Sequence, residues 1–334
     1  VLYFYKKNYA VKNSFDLAPI VLFVYNRPWH TQQTLEALFL NDLADESQLI
    51  IYADGAKGNA SDEEIEKINE VRSIIRMKSW CKSVEIIESP INKGLANSII
   101  EGVTKIVNHY GKIIVLEDDI VTSESFLIYM NNCLNMYLTD DAVMHVSGYM
   151  YPTRYNKRLP NTFFLRSISC WGWGTWSRAW EKFEKNPKQQ IELLNKRNLW
   201  HAFNVAGSND SFQKQLEQNE THEINTWAIF WYTTVFLNKG LALFPKTSFV
   251  QNIGHDGSGI HCFAFGSKRN PYYWDSLSKN VTLNKRKLTI NKRHTNYLKK
   301  YFLQISKVDV KTTLRDKFYL FRKKFTHKKS SITE

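Results

Sequence analysis

The stretch KIIVLEDDIVTSESF, Lys112 to Phe126, decides the fold. Ile113 to Leu116 form a continuous apolar run, the pattern of a strand buried on both faces, and they lead straight into Glu117, Asp118 and Asp119. Apolar surroundings raise the cost of ionised carboxylates, and neighbours of one sign repel each other. Such a triplet has two uses. Carboxylates are favoured near the N-terminus of a following helix. Equally, a strand emptying into acids can hold Mn2+ or Mg2+, whose charge offsets the repulsion and whose open positions suit substrate phosphates.

Working outward, the same pattern recurs on the N-terminal side. IVLFVY (Ile20 to Tyr25), LIIYAD (Leu49 to Asp54) and VEII (Val84 to Ile87) read as strands. Helical patterns separate them: TQQTLEALFL, a segment opened by the capping pair Ser61 and Glu64, and a segment with Ala96, Ile99, Val103 and Val107 on one face. A further amphipathic helix is expected over Phe126 to Leu138. Alternating strands and helices predict an α/β domain with a mainly parallel sheet flanked by helices. Ligands of such sheets sit beyond the carboxyl ends of the strands, and polar residues gather there: Tyr25-Asn26-Arg27, Asp54-Gly55, Asn92-Lys93-Gly94 with Asn97, and Glu117-Asp118-Asp119.

The second half changes character. Tyr149 to Trp180 is dense in aromatics, with Trp171, Trp173, Trp176 and Trp180 in CWGWGTWSRAW, and Trp173 and Trp176 are expected to be partly buried. A helix near Trp227 to Leu237 precedes a Pro-marked strand and the glycine-rich GHDGSGIH, Gly254 to His261. The expected division is a lead segment 1–18, a strand-and-helix half 19–150, an aromatic-rich half 151–290 of the same domain, and a basic amphipathic tail 291–334. In the tail, Leu314, Phe318, Phe321 and Phe325 share one helical face among Arg and Lys.

Composition narrows the classes. A chain of 334 residues with 43% hydrophobic and 14% aromatic residues has material for a large core. No run approaches a membrane span and none at the start reads as a signal peptide. Four scattered cysteines form neither a CxxC nor a Cys/His cluster, as expected of reduced thiols rather than a zinc site. The formal charge of +13 calls for an anionic partner. Because the surplus lies in the tail and the aromatics lie elsewhere, no basic-aromatic nucleic-acid platform is expected.

VLEDDI after a buried strand resembles the Glu-Asp-Asp metal motif of GT-A fold glycosyltransferases, most closely N-acetylglucosaminyltransferase I and its bacterial relatives. PIVLFVYNRP is similar to the opening strand of that family, IIYADG to its second strand, and INKGLANSI to the segment beside the nucleotide sugar. The similarity runs in order from Pro19 to His261. It implies a GT-A (Rossmann-like) fold and a metal-dependent, inverting hexosyl- or N-acetylhexosaminyltransferase using a nucleotide-diphosphate sugar, with a UDP-sugar first among donors. Asp119 would be the direct metal ligand, Asp118 would approach the donor sugar or its ribose, and Glu117 would orient the loop. Tyr25, Asn26 and Arg27 would line the nucleotide, Asp54 would accept from the base, and Lys93 and Asn97 would lie by the diphosphate or sugar. His261 is taken over His255 as a second metal ligand.

The catalytic base departs from the family pattern. The segment INTWAIFW has Ala228 where the family carries an acid, which leaves Glu223 and Asp256 as candidates. The aromatic segment is either core or an acceptor-stacking wall. A basic tail without a secretion signal points to a cytoplasmic protein, peripheral on an anionic inner membrane face, acting on a glycan or lipid-linked acceptor in bacterial surface-polysaccharide synthesis. Two other classes stay open: a sugar nucleotidyltransferase, although YNRPWHT lacks the expected glycine after the first strand, and a non-catalytic glycan-binding pseudoenzyme.

Overall fold

Strands β1 (Ile20–Val24), β2 (Gln48–Ala53), β3 (Ser83–Glu88) and β4 (Lys112–Glu117) form where the apolar runs predict them. They are seen in a computed structural model that describes residues 16–258 and 270–306. Between them lie helices α1 (Pro28–Phe39), α2 (Asp62–Ile74) and α3 (Leu95–Tyr110). Their ends follow local chemistry. Proline opens α1, where its missing N–H has no cost. The Ser61 side chain accepts from Glu64 N at 3.2 Å to cap α2, and Gly111 in the left-handed region closes α3.

The chain continues through β5 (Ile120–Thr122), α4 (Phe126–Met136), β6 (Val143–Ser147), β7 (Thr162–Leu165) and β8 (Trp173–Trp176). Then come α5 (Ser177–Trp180), α6 (Pro187–Lys196), α7 (Trp200–Phe203), α8 (Ser211–Glu220), α9 (Ala228–Leu237), β9 (Leu241–Pro245) and β10 (Val250–Asn252). A last helix, α10, spans 292–306. Helix α4 stops two residues short of the expected Leu138, and the proposed apolar face at 314–325 lies outside the described residues.

The main sheet has eight strands in the order β3-β2-β1-β4-β8-β6-β9-β7. β3, β2, β1 and β4 pair in parallel, as do β6 and β9, while β8 and β7 run against their neighbours. Period-two alternation sends Val21, Phe23, Ile113 and Val115 to one face, under α3, α9 and α10. Ile20, Leu22, Ile114 and Leu116 go to the other, under α1 and α4. Both faces are thus covered, which is why the strands read as unbroken apolar runs. β3 is an edge strand and alternates instead, with Glu85 and Glu88 guarding it against further pairing.

Trp173 and Trp176 correct the expectation of partial burial: they are 0% and 1% exposed. β8 lies inside the sheet, so its side chains point into the two covered faces. Trp173 stacks on His145 and Trp227, and Trp176 Nε1 donates to Leu134 O at 3.0 Å. These two tryptophans are core rather than a sugar wall.

Candidate functional site

Because β1 to β4 are parallel, all four carboxyl ends open on one edge. The segment after β1 puts Arg27 at the entry to α1, and the segment after β4 puts Asp118 and Asp119 opposite it. Arg27 Nε donates to Asp118 Oδ2 at 3.2 Å, Nη2 donates to Asp119 Oδ2 at 2.9 Å, and a further Nη2 bond reaches Asp118 Oδ1. Thr34 on α1 fixes the loop by donating to Asp118 O at 2.8 Å. The Asp118 and Asp119 side chains are 9% and 8% exposed, so a single guanidinium faces two buried carboxylates, with Glu117 beside them. Burial opposes the Arg27 charge, but Asp118 and Asp119 together raise its pKa. Burial pushes Glu117 up to about 8, helped by the charges of Asp119 and Asp118 and opposed by Arg27. Asp118 is raised as well, by burial first, with Arg27 pulling the other way.

A second layer comes from far along the chain. β5 follows Asp119 directly and pairs antiparallel with β10, Ile120 opposite Asn252. Ile253 N then donates to Asp119 O at 2.9 Å, which lays Gly254 over the carboxylates. A Cβ on Gly254 would collide with the Asp119 carboxylate and sit 2.9 Å from Arg27 Nη1, so a side chain there would have to displace the Arg27–Asp119 pair. Beyond it, His255 stacks on Tyr272 (centroids 5.1 Å apart) and meets Trp171 edge-on at 5.4 Å. His255 is pushed down by burial, against the charges of Asp119 and Asp256. Asp256 Oδ2 lies 3.0 Å from Nε2 of His30, a buried α1 residue. Asp256 is held below the usual carboxylate range: burial works against this, but bonds from Ser258 N and Oγ prevail.

The expected residues divide accordingly. Arg27, Glu117, Asp118, Asp119 and Asp256 come together. Tyr25 and Asn26 turn toward α2, and both donate to Glu64 Oε1, at 3.2 and 3.3 Å. Asp54 accepts from the backbone N–H groups of Gly55, Lys93 and Gly94, and so ties the β2 and β3 ends together. Lys93 Nζ donates to Glu101 at 2.6 Å, and Asn97 Nδ2 donates to Lys93 O. Glu223, on the turn after α8, accepts from Gln218 of α8 and from Thr221, with no contact to the strand-end carboxylates among the described residues. His261 lies outside the described residues; the histidine of the glycine loop seen beside Asp119 is His255.

His30 and Glu64 were not singled out from sequence. His30 shares the buried face of α1 with Thr34 and Leu38 at spacings of four, a polar interruption of an apolar stripe that marks it for attention. Glu64 was visible only as half of a capping pair.

No family model matches the chain, and no curated protein sequence does. Among solved structures the chain is similar to the crystal structure of S. aureus TarS, at 7% identity and a TM-score of 0.38 over 72% of this chain and 37% of that one. The chain spans little more than a third of that protein's length, and a likeness of this degree says nothing of activity. The sheet order, with polar side chains collected at its carboxyl ends, is that of a mixed α/β, Rossmann-like domain whose mostly parallel central sheet is flanked by helices.

Proposed function

We propose that the protein is a divalent-cation-dependent, inverting glycosyltransferase that moves a hexosyl or N-acetylhexosaminyl unit from a nucleoside-diphosphate sugar, UDP-linked by preference, to a glycan or lipid-linked acceptor. The observation that carries the proposal is one guanidinium set among three adjacent acids, under a glycine, where a parallel sheet opens. Asp119 would hold Mn2+ or Mg2+, which takes one or two carboxylates and completes its shell with water and substrate phosphates, while Asp118, bonded to Arg27 through both oxygens, would face the donor sugar or its ribose. No three His, Cys, Asp or Glu side chains converge as a ready-made metal cage among the described residues, and water and the donor diphosphate would complete the shell of a bound cation.

When bound, the cation would neutralise charge gathering on the departing diphosphate. The chain's own residues do the rest. Arg27 adds a second positive charge beside the diphosphate. The Gly254 backbone excludes water above Asp119. Asp256, half exposed and contacted by His30, takes the proton of an acceptor hydroxyl arriving from solvent as that oxygen attacks the anomeric carbon. Trp171, half-buried beside His255, offers a ring to the acceptor sugar.

The setting that fits is surface-polysaccharide synthesis at the inner face of the cytoplasmic membrane. Among the described residues no helix is long and apolar enough to cross a membrane. The test is hydrolysis and thermal-shift screening of UDP-, GDP-, CMP- and dTDP-sugars with and without Mn2+, on wild type and Asp119→Ala. One donor should raise the Tm only with the metal, and the variant should lose both effects. If no donor gives metal-dependent turnover or stabilisation, the proposal fails.

A further inference from the structure

Two segments far apart in sequence bring positive charge to one ring. The turn before β7 carries Arg154, Lys157 and Arg158, all exposed, and α10 carries Lys300, also exposed. Arg154 Cζ, Lys300 Nζ and Arg158 Cζ lie 5.0, 5.2 and 5.9 Å from the centroid of Tyr155. Arg154 Nη2 also donates to the Tyr155 hydroxyl at 2.7 Å. Tyr155 stacks on Tyr297 of α10, with centroids 4.6 Å apart and planes 8° from parallel. Aromatic stacking thus holds the turn against α10 and gathers the cations on the outside.

Among the described residues these cations have no counterion. No ion pair joins Arg154, Arg158 or Lys300 to a carboxylate among the described residues. The sequence offers none nearby: residues 142–180 contain no Asp or Glu, and neither do residues 276–308, which carry nine Lys and Arg. Three cations drawn together around one tyrosine, at a cost in mutual repulsion, call for an anion from outside.

We propose that the Tyr155 cluster is a docking surface for the phosphate headgroups of an anionic lipid bilayer. The shape of α10 favours a membrane. Its inner face buries Tyr297, Leu298, Tyr301, Phe302 and Ile305, while Lys292, Arg293, Asn296, Lys300, Leu303 and Gln304 form a basic outer face. That face carries one exposed leucine, the kind of residue that enters an interface. Lys300 stands six residues before the end of α10, about 9 Å along the axis. Residues 307–329 follow at once, with nine Lys and Arg against two Asp. Charge therefore continues from the folded cluster into the tail, as suits an extended anionic plane. Single-stranded nucleic acid fits less well, because Tyr297 already stacks on the Tyr155 ring that a base would need. This inference is independent of the transferase reading, since its readout is partition and not turnover.

Flotation of the full chain with phosphatidylcholine vesicles, with and without phosphatidylglycerol, tests it. Each cation near such a surface contributes about fivefold to partition. The triple variant Arg154→Gln/Arg158→Gln/Lys300→Gln should bind phosphatidylglycerol vesicles about a hundredfold more weakly than wild type. Lys105→Gln on α3 should match wild type, and Arg158→Gln alone should lose about fivefold should the triple variant not fold. The proposal is overturned if the variants bind as wild type does, or if phosphatidylglycerol makes no difference. Displacement from the vesicles by millimolar glycerol phosphate would overturn it in favour of a soluble phosphate ligand, and displacement by a single-stranded oligonucleotide in favour of nucleic acid.

Discussion

Arg27 Nη2 donates to Asp119 Oδ2 over 2.9 Å beneath the backbone of Gly254, so one side chain is the counterion of the strand-end acids. Removing it leaves two buried carboxylates unpaired. Breaking a buried pair from one side costs about 3 kcal/mol, and Arg27→Ala should lose stability of that order in urea denaturation. A cation that can replace the guanidinium should then matter more. Mn2+ should raise the Tm of Arg27→Ala by more than it raises that of wild type, and an equal shift would separate the acids from metal binding.

Gly254→Ala is a second, steric probe. The added methyl meets the Asp119 carboxylate, and forcing a group into a packed site costs about 1–3 kcal/mol. The expected outcome is a Tm lowered by several degrees together with loss of donor-dependent stabilisation. Retention of both would show that the loop stands further from Asp119.

Asp256→Asn and Glu223→Gln distinguish the two candidate bases. Loss of general-base catalysis typically lowers turnover by about 10²–10⁴-fold. That loss is expected at Asp256, with binding of the donor unchanged, because Asp256 sits against His30 over the carboxylate site. Glu223→Gln should leave turnover near wild type, its partners being Gln218 at the end of α8 and Thr221 on the turn that follows.

The two kinds of tryptophan should separate by stability. Trp173→Ala removes a wholly buried ring among His145, Trp227 and Trp231, and should cost about 3–5 kcal/mol. Trp171→Ala, at the half-buried edge facing His255 and Tyr272, should change Tm little and raise the KM for acceptor.

His145 gives a pH signature. Its Nδ1 accepts from Trp231 Nε1 at 3.1 Å, so Nε2 carries the proton toward Ser169 O at 3.0 Å, and burial pushes its pKa down to about 3 against that carbonyl. The folded value lies below the unfolded one, near 6.5. The unfolded chain therefore binds more protons between them, and stability is complete above about pH 6.5 and falls as pH drops toward 3. Glu117, with a folded value near 8, acts in the opposite direction over part of this range, so wild type must be compared with His145→Gln. Between pH 7 and 4.5 the stability difference between them should shrink by about 2–3 kcal/mol. A constant difference would show that His145 protonates in the folded state.

What could be read from sequence followed the range of the signals. β1 to β4 announced themselves because strands covered on both faces are continuous apolar runs, and the Ser61–Glu64 cap was a purely local pattern. Parallel pairing of those strands is enough to put Arg27, Asp118 and Asp119 on one edge. The β5–β10 ribbon was illegible: two three-residue strands more than a hundred residues apart carry no periodicity. Without that ribbon only the family resemblance ties the glycine loop to the acidic site, through His261 and Asp256, and nothing ties His30 to it. Trp173 and Trp176 were ambiguous for another reason. Aromatic rings suit a core and a sugar equally well, and only the insertion of β8 into the sheet decides between them.

That insertion bears on how the chain comes together. β4 and β6 follow each other with only the short β5 and α4 between them, yet β8 takes the place between them in the sheet. A nascent chain released as far as Gly148 would hold two strands with open backbone edges, awaiting a partner not yet synthesised. The tryptophan-rich segment is therefore the closing piece of the sheet, and the edge bearing the strand-end acids and the aromatic half are bound to fold as one cooperative unit.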